Sequence, residues 1–184
     1  METSQSIFIQ SLKEPETREA AFNKLVKQYK ERLYWHVRKI VLNHDDANDV
    51  IQNTFIKIFL NLDNFQENST LFTWMYRIAT NESLNFINTK ASKMGLNSTE
   101  WMESKADNLE ADTYFDGDKA ALQLQKAIST LPEKQRLVFN MKYFDAMKYD
   151  TIADILDTSV GALKASYHHA VKKIKTQLDD PSFE

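Results

Sequence analysis

The chain has 184 residues, of which 42% are hydrophobic and 27% charged, enough apolar material for one domain or two small ones. It contains no cysteine, which excludes disulfides and thiolate metal sites. No apolar run reaches the roughly 20 residues of a membrane-spanning helix, and no basic segment precedes the short apolar run near the N-terminus, so we expect a cytoplasmic protein without an export signal.

Glycine and proline are scarce, with three of each. Because these residues interrupt helices, their scarcity and the lack of strand-like alternation favour an all-α chain. The net charge of −3 is unevenly distributed: residues 1–90 are neutral, residues 91–118 carry −5 and residues 119–184 carry +2. An acidic segment therefore separates two halves of different charge.

Three amphipathic helices are predicted in the first half, which we take as a domain over residues 1–90. Their apolar residues recur at steps of three and four, and the helices cover about residues 17–42, 43–62 and 69–89. Asp45 or Asp46 is predicted to cap the second helix, because carboxylates accept hydrogen bonds from the first free N–H groups.

Residues 91–117 show no sustained helical or strand period and hold two of the three glycines. The segment is therefore predicted to be a flexible acidic linker. Trp101, Met102, Tyr114 and Phe115 are unusual in such a linker, and they indicate either loose docking on a neighbouring domain or contact with a partner.

Four shorter helices are predicted in a second domain, residues 118–184; they cover about residues 119–129, 132–144, 149–156 and 160–178. A three-residue turn separates the last two, which is typical of a helix-turn-helix. Asp157 stands at the left-handed position of the turn, and Ser159 is a good N-cap. In this motif the second helix lies in the DNA major groove.

The last predicted helix carries four lysines and two histidines before residue 176 and no acidic residue. Its first turns can meet base edges, and the later lysines can neutralise phosphates. The predicted DNA-binding residues are Ser159, Gly161, Ala162, Lys164, Ser166, His168, Lys172 and Lys173. A solvated basic face on an ordinary helical hairpin is the simpler alternative.

Aromatic and amide side chains are dense in the third predicted helix. Trp74 and Tyr76 fall off its apolar stripe, and single-stranded nucleic acids stack on such rings. Asn81 and Asn85 share one face with Asn88, where amides can pair with base edges. An ordinary polar surface is the alternative for these amides.

Three motifs together resemble the extracytoplasmic-function (ECF) group of sigma-70-family RNA polymerase sigma factors. The motifs are DDANDVIQNTFIKIF, similar to the second sigma region; FQENSTLFTWMYRIATNESLNF, similar to the promoter-melting part; and the stretch from LPEKQ to KKIK, similar to the fourth region. The resemblance extends over about residues 22–178. It implies two small helical domains joined by the flexible acidic linker, with the helix-turn-helix in the C-terminal one.

The resemblance also implies roles for individual residues. Asp46, Asp49 and Gln52, with Asn53 where the family usually has Glu, would lie on an exposed helix face that binds the β′ coiled coil of core RNA polymerase. The residues implied in promoter melting and base capture are Phe65, Phe72, Trp74, Tyr76, Asn81 and Asn85.

The C-terminal domain would contact the β flap of the polymerase and read the upstream promoter element. Ala162, Ser166 and His169 stand where the family commonly has Thr, Arg and Arg. The resemblance therefore implies upstream readout that is reduced or shifted onto Lys164 and DNA shape.

The function implied is to direct core polymerase to promoter DNA and help open it, with an anti-sigma factor as a further partner and with no catalysis, cofactor, metal or small-molecule substrate. One alternative is a stand-alone helix-turn-helix regulator that dimerises on a palindrome. Another is an enzyme with a metal site at His44, Asp45 and Asp46, which would need further ligands from other helices.

Overall fold

The computed structural model describes residues 4–109 and 117–180. In chain order the helices are α1 (Ser4–Lys13), α2 (Pro15–Val41), α3 (His44–Leu60), α4 (Leu71–Lys93), α5 (Ser98–Asp107), α6 (Lys119–Ser129), α7 (Glu133–Tyr143), α8 (Tyr149–Leu156) and α9 (Val160–Leu178). Within the two described ranges there is no β-strand, and no helix is long and apolar enough to cross a bilayer. The all-α prediction is confirmed.

Polar side chains set where several helices begin. The Asn43 side chain accepts a hydrogen bond from the Asp46 N–H at 3.0 Å, so Asn43 caps α3. The prediction that Asp45 or Asp46 is the cap is therefore wrong, since both lie inside the first turn. Thr70 and Asp118 cap α4 and α6 in the same way.

The N-terminal half is a helical bundle built around α2. This 27-residue helix contacts α1, α3 and α4, and buries a stripe that includes Leu25, Leu33, Val37 and Ile40. Helix α1 is absent from the sequence predictions, although Ile9 and Leu12 are buried three residues apart.

Much of the predicted linker is ordered. Helix α4 continues to Lys93, and α5 occupies residues 98–107, so the prediction of flexibility is wrong there. Asn97 and Glu100 form a capping box, a sequence signal for a helix start. Trp101 and Met102 are 2% and 1% exposed, which anchors α5 to the N-terminal half. Tyr114 and Phe115 lie outside the described residues.

The C-terminal half agrees closely with the predicted elements. Helices α6, α8 and α9 have the predicted bounds, and Pro132 is the N-cap of α7 rather than its first residue. Asp157 adopts the left-handed conformation, with φ 48° and ψ 55°. The Ser159 side chain accepts a hydrogen bond from the Ala162 N–H at 3.3 Å. The turn between α8 and α9 therefore has the predicted helix-turn-helix form.

The two halves touch and share apolar packing. Helix α8 lies against α4, and α7 against α2. Met141, Ile152 and Ile155 of the C-terminal half belong to the same buried cluster as Leu33 and Met75 of the N-terminal half. A second, smaller cluster lies within the C-terminal half alone. Because this apolar packing joins the two halves, it does not mark where one domain ends and the next begins. The domain boundaries at residues 90 and 118 therefore stay predictions.

Candidate nucleic-acid interface

The acidic start of α3 is only partly exposed. Asp49, Gln52 and Asn53 are exposed as predicted. The Asp46 side chain is 14% exposed because the Lys105 ammonium of α5 lies 2.9 Å from its carboxylate. The prediction that Asp46 lies on an exposed face is wrong, because α5 forms within the predicted linker and brings Lys105 to its carboxylate.

Large apolar side chains continue the same face of α3 toward its C-terminus. Ile56 and Leu60 are 56% and 69% exposed. They follow Asp49 and Asn53 at helical steps of three and four, so all four share one side of the helix. We call this the α3 surface: Asp49, Gln52, Asn53, Ile56 and Leu60. Ile56 and Leu60 were not among the predicted site residues, although the sequence of α3 carries apolar residues on two faces of the helix.

The aromatic residues before and within α4 form two ring pairs. The Phe65 and Trp74 centroids are 5.0 Å apart, and those of Phe72 and Tyr76 are 4.2 Å apart. Phe65 is 4% exposed and Tyr76 is 2% exposed, whereas Phe72 and Trp74 are half-buried. The interpretation of Tyr76 as lying off the apolar stripe is wrong, and Phe65 and Tyr76 offer no free face to a base in this arrangement.

Burial also determines the chemistry of Tyr76. Loss of solvent raises the pKa of its phenol to about 12, although the nearby Arg32 guanidinium acts in the opposite direction. The Arg32 guanidinium lies 5.1 Å from the centroid of the adjacent Phe72 ring. The Tyr76 phenol is therefore protonated at neutral pH. The Phe72–Tyr76 ring pair packs beneath the surface of α4.

The loop before α4 is held from the side of α1 and α2. Lys13 pairs with Glu67 at 3.2 Å, and Arg18 pairs with Asp63. The Lys13 ammonium lies 5.7 Å from the centroid of the Phe65 ring. Glu67 has a positive φ of 60°, a conformation uncommon for residues other than glycine. These contacts hold the loop in a defined shape next to the aromatic pairs.

The amide face of α4 is open to solvent. Asn81 and Asn85 are exposed, four residues apart, and Asn88 is exposed near them. Arg77, one turn earlier on the same face, donates a hydrogen bond to the backbone carbonyl of Asp154 in α8. We call Arg77, Asn81 and Asn85 the α4 face. Arg77 was not among the predicted site residues, and it lies where α8 contacts α4.

Helix α9 presents its basic side chains without cover. All the predicted residues from Ser159 to Lys173 are exposed except Ser166, which is half-buried. Lys164 lies 5.9 Å from the centroid of the Tyr149 ring, which links the start of α9 to α8. A Cβ built on Gly161 meets nothing within 4 Å, so close packing does not require glycine there.

No cluster of three His, Cys, Asp or Glu side chains suited to a metal ion occurs in residues 4–109 or 117–180. The His44 ring contacts the Tyr34 hydroxyl through Nδ1 at 2.7 Å and the Asn48 amide through Nε2 at 2.9 Å. Its two nitrogens are thus engaged in hydrogen bonds, and Asp46 is paired with Lys105. The geometry gives no support to the metal-enzyme alternative.

Comparison with known proteins gives a consistent assignment. Two family models match the chain: "Sigma-70 region 2" over residues 25–93 and "Sigma-70, region 4" over residues 121–174. ECF RNA polymerase sigma factor SigW of Bacillus subtilis is 30% identical over 168 residues, covering 87% of this chain and 90% of the relative. The ECF RNA polymerase sigma-E factor of Escherichia coli K12 is 28% identical over 173 residues, covering 86% of each chain.

Two solved structures share the fold. CnrH in complex with the cytosolic domain of CnrY has a TM-score of 0.70 at 21% identity, covering 98% of this chain and 100% of that one. The sigma factor RpoE in complex with the anti-sigma factor NepR, from Bartonella quintana, has a TM-score of 0.64 at 18% identity, covering 87% and 98%. With both sigma regions matched in order and a 30% identical relative aligned over most of its length, the chain belongs to the ECF RNA polymerase sigma factors.

Proposed function

We propose that this sigma factor binds core RNA polymerase through the α3 surface and promoter DNA through the α4 face and α9, acting in the cytoplasm by binding rather than by catalysis. The polymerase supplies the chemistry, and this chain selects the start site. Asp49 and Gln52 suit a basic polymerase surface, and Ile56 and Leu60 add apolar contact area beside them.

The observation that carries the polymerase contact is the solvent exposure of Ile56 and Leu60. Both aliphatic side chains are more than half exposed on one helix face, so they leave apolar area in contact with water. A partner that buries this area gains binding free energy from the hydrophobic effect. Charged and amide side chains flank them on the same face, as at the rim of a protein interface.

The promoter contacts follow from exposure and chemistry. Asn81 and Asn85 offer amide donors and acceptors to unstacked bases, and the half-buried rings of Phe72 and Trp74 lie in the first turn of the same helix. Lys172 and Lys173 on α9 suit phosphates of the upstream duplex, because both are exposed on a helix without acidic residues. We expect Phe65 and Tyr76 to support this surface from beneath.

Regulation by an anti-sigma factor is the further partner that we propose. Both solved structures above contain a partner: the cytosolic domain of CnrY in one and the anti-sigma factor NepR in the other. The proposal for this chain rests on the shared fold.

The test is transcription with purified core polymerase on a pool of genomic fragments, with and without this protein. Transcripts that start at defined sites only in its presence would support the proposal, and the start sites would reveal its promoter elements. Absence of stimulation, together with binding to a palindrome without polymerase, would instead favour a stand-alone regulator.

A matched pair of variants tests the α3 surface. Ile56→Ser should weaken core polymerase binding by about tenfold to a hundredfold, since one buried aliphatic side chain contributes about 1.5–3 kcal/mol. Ile7→Ser on α1 removes an isoleucine of the same exposure, 56%, and should leave binding unchanged. Equal effects of the two substitutions would contradict the assigned surface.

A further inference from the structure

A groove lies between α1 and α2 and ends at the first residue of α4. It has a volume of about 670 Å³, and its lining includes Gln5 and Phe8 of α1, Gln28 and Tyr29 of α2, and Leu71 of α4. We call it the α1–α2 groove. None of the described residues that line it is acidic. Its size and lining suit a ligand that combines flat apolar parts with negative charge.

Two cations of α2 lie beside aromatic rings along this groove. The Lys24 ammonium is 5.7 Å from the centroid of the Phe8 ring, and the Arg32 guanidinium is 5.1 Å from that of Phe72. Lys24, Gln28 and Arg32 are exposed and follow one another at steps of four, so they share one face of α2 over about 12 Å. Positive charge beside aromatic faces is the combination that binds single-stranded nucleic acid.

The groove also offers the other contacts that an unpaired base needs. Gln5 and Gln28 are exposed, one on each helix, and an amide can both donate to a base edge and accept from it. Tyr29 is half-buried and Leu71 is 3% exposed, so the deeper part of the lining is apolar. A base can therefore be covered on its face and hydrogen-bonded at its edge.

The groove is continuous with the promoter surface proposed above. Leu71 lines one end of it, and Phe72 is the next residue of α4. The loop before α4 is joined to the end of α1, because Lys13 contacts both Glu67 and the Phe65 ring. An unpaired strand bound at the start of α4 can therefore continue directly into the groove.

The α1 side of the groove lies outside the matched sigma region. The match to "Sigma-70 region 2" covers residues 25–93, whereas Phe8, Lys24 and the whole of α1 precede it. The family assignment therefore gives no role to this side of the groove.

We propose that the α1–α2 groove binds unpaired promoter DNA beyond the bases captured at α4. A base packs against the Phe8 ring, the Gln28 amide contacts a base edge, and Lys24 and Arg32 neutralise phosphates. The choice of promoter DNA as the ligand rests on the proposed function, whereas the affinity of the groove for single-stranded DNA does not.

The first experiment measures binding of the full chain to a fluorescein-labelled single-stranded oligonucleotide by fluorescence anisotropy over a salt series. Lys24→Ala should reduce the slope of log affinity against log salt by about 0.7, the value for one phosphate contact on a single strand. Lys30→Ala is the matched control, because Lys30 is an exposed lysine on a different side of α2 and should leave the slope unchanged. A wild-type slope in Lys24→Ala would overturn the proposal.

Phe8→Leu tests the stacking contact with the same oligonucleotide. Leucine keeps an apolar side chain that can pack between α1 and α2, but it lacks the ring face on which a base stacks. Single-strand affinity should therefore fall at least about fivefold. Affinity for the same sequence as a duplex should not change. An unchanged single-strand affinity, or an equal loss for the duplex, would count against the groove.

The second experiment locates the strand in the open complex. Because the chain has no cysteine, Gln28→Cys carries a single photo-cross-linker when the protein is assembled with core polymerase on promoter DNA. We expect cross-links to the unpaired promoter strand, and none to DNA from Lys30→Cys. Cross-links from Gln28→Cys to a polymerase subunit in place of DNA would refute the proposal and assign the groove to the polymerase.

The two experiments separate this proposal from the proposed function. If transcription does not depend on this protein, the proposed function fails, and the oligonucleotide series still decides whether the groove binds single strands. If transcription starts at defined sites while Lys24→Ala and Phe8→Leu bind single strands like the wild type, only the groove proposal fails.

Discussion

Helices α4 and α9 carry the two surfaces proposed to contact promoter DNA, yet they are held in different ways. Helix α4 is packed against α2, α3, α5 and α8, and its buried residues include Met75 and Tyr76. Helix α9 is packed against α6, α7 and α8 through a single stripe of Leu163, Ala170 and Ile174. Substitutions of the buried residues of α4 should therefore affect folding and binding together, whereas those on the exposed side of α9 should affect binding alone.

The largest effect is expected beneath the α4 surface. Tyr76→Ala removes a ring that is 2% exposed and leaves a cavity, so it should lower the free energy of unfolding by about 3–5 kcal/mol. Tyr76→Phe is the matched control, because it keeps the ring. Urea denaturation measures both, and a loss below about 1 kcal/mol for Tyr76→Ala would mean that the ring is not part of the core.

The exposed amides of α4 should separate binding from folding. We expect Asn81→Ala with Asn85→Ala to change stability by less than about 0.5 kcal/mol, because both side chains are exposed. Promoter opening should fall at least tenfold if each amide loses a base contact of about 1–3 kcal/mol. Permanganate footprinting of open complexes measures this. Asn23→Ala, an exposed asparagine of α2, is the control, and an equal loss in that variant would refute the assignment.

Helix α9 should act through charge. Lys172→Ala with Lys173→Ala should reduce the slope of log affinity against log salt by about two and weaken binding to all promoters alike. Fluorescence anisotropy of holoenzyme with promoter DNA over a salt series measures the slope. Lys119→Ala, at the exposed start of α6, serves as the control. An unchanged slope would mean that the lysines do not contact phosphate.

The smallest effect compares two helix caps. Asn97→Ala removes the capping box of α5, and Ser159→Ala removes the N-cap of α9; each should cost about 1 kcal/mol. Because α5 packs on α4, loss of the first cap should increase hydrogen exchange in the last turns of α4. The Ser159 variant should increase exchange in α9 alone. Identical exchange patterns would contradict the difference between the two regions.

The helix-turn-helix was accessible to sequence reasoning because its signals are local. A good cap at Ser159, a residue that tolerates the left-handed conformation at Asp157, and a three-residue spacing act through neighbouring backbone atoms. The exposure of the lysines on α9 follows from the same helical period. The Asn97–Glu100 capping box that begins α5 is equally local, but the polar, acidic residues around it have no sustained helical period and hide the helix.

The amino-acid sequence by itself determined the helical class, the bounds of α6, α8 and α9, and the order of the polymerase- and promoter-related motifs, since periodicity, caps and turns depend on residues close along the chain. Tertiary structure alone decided which residues of those motifs are covered. Tyr76 is buried, Asp46 is paired with Lys105, and His36 meets Asp145 across 109 positions. Such contacts depend on which helix faces pack together, and residues close together along the chain do not determine that packing.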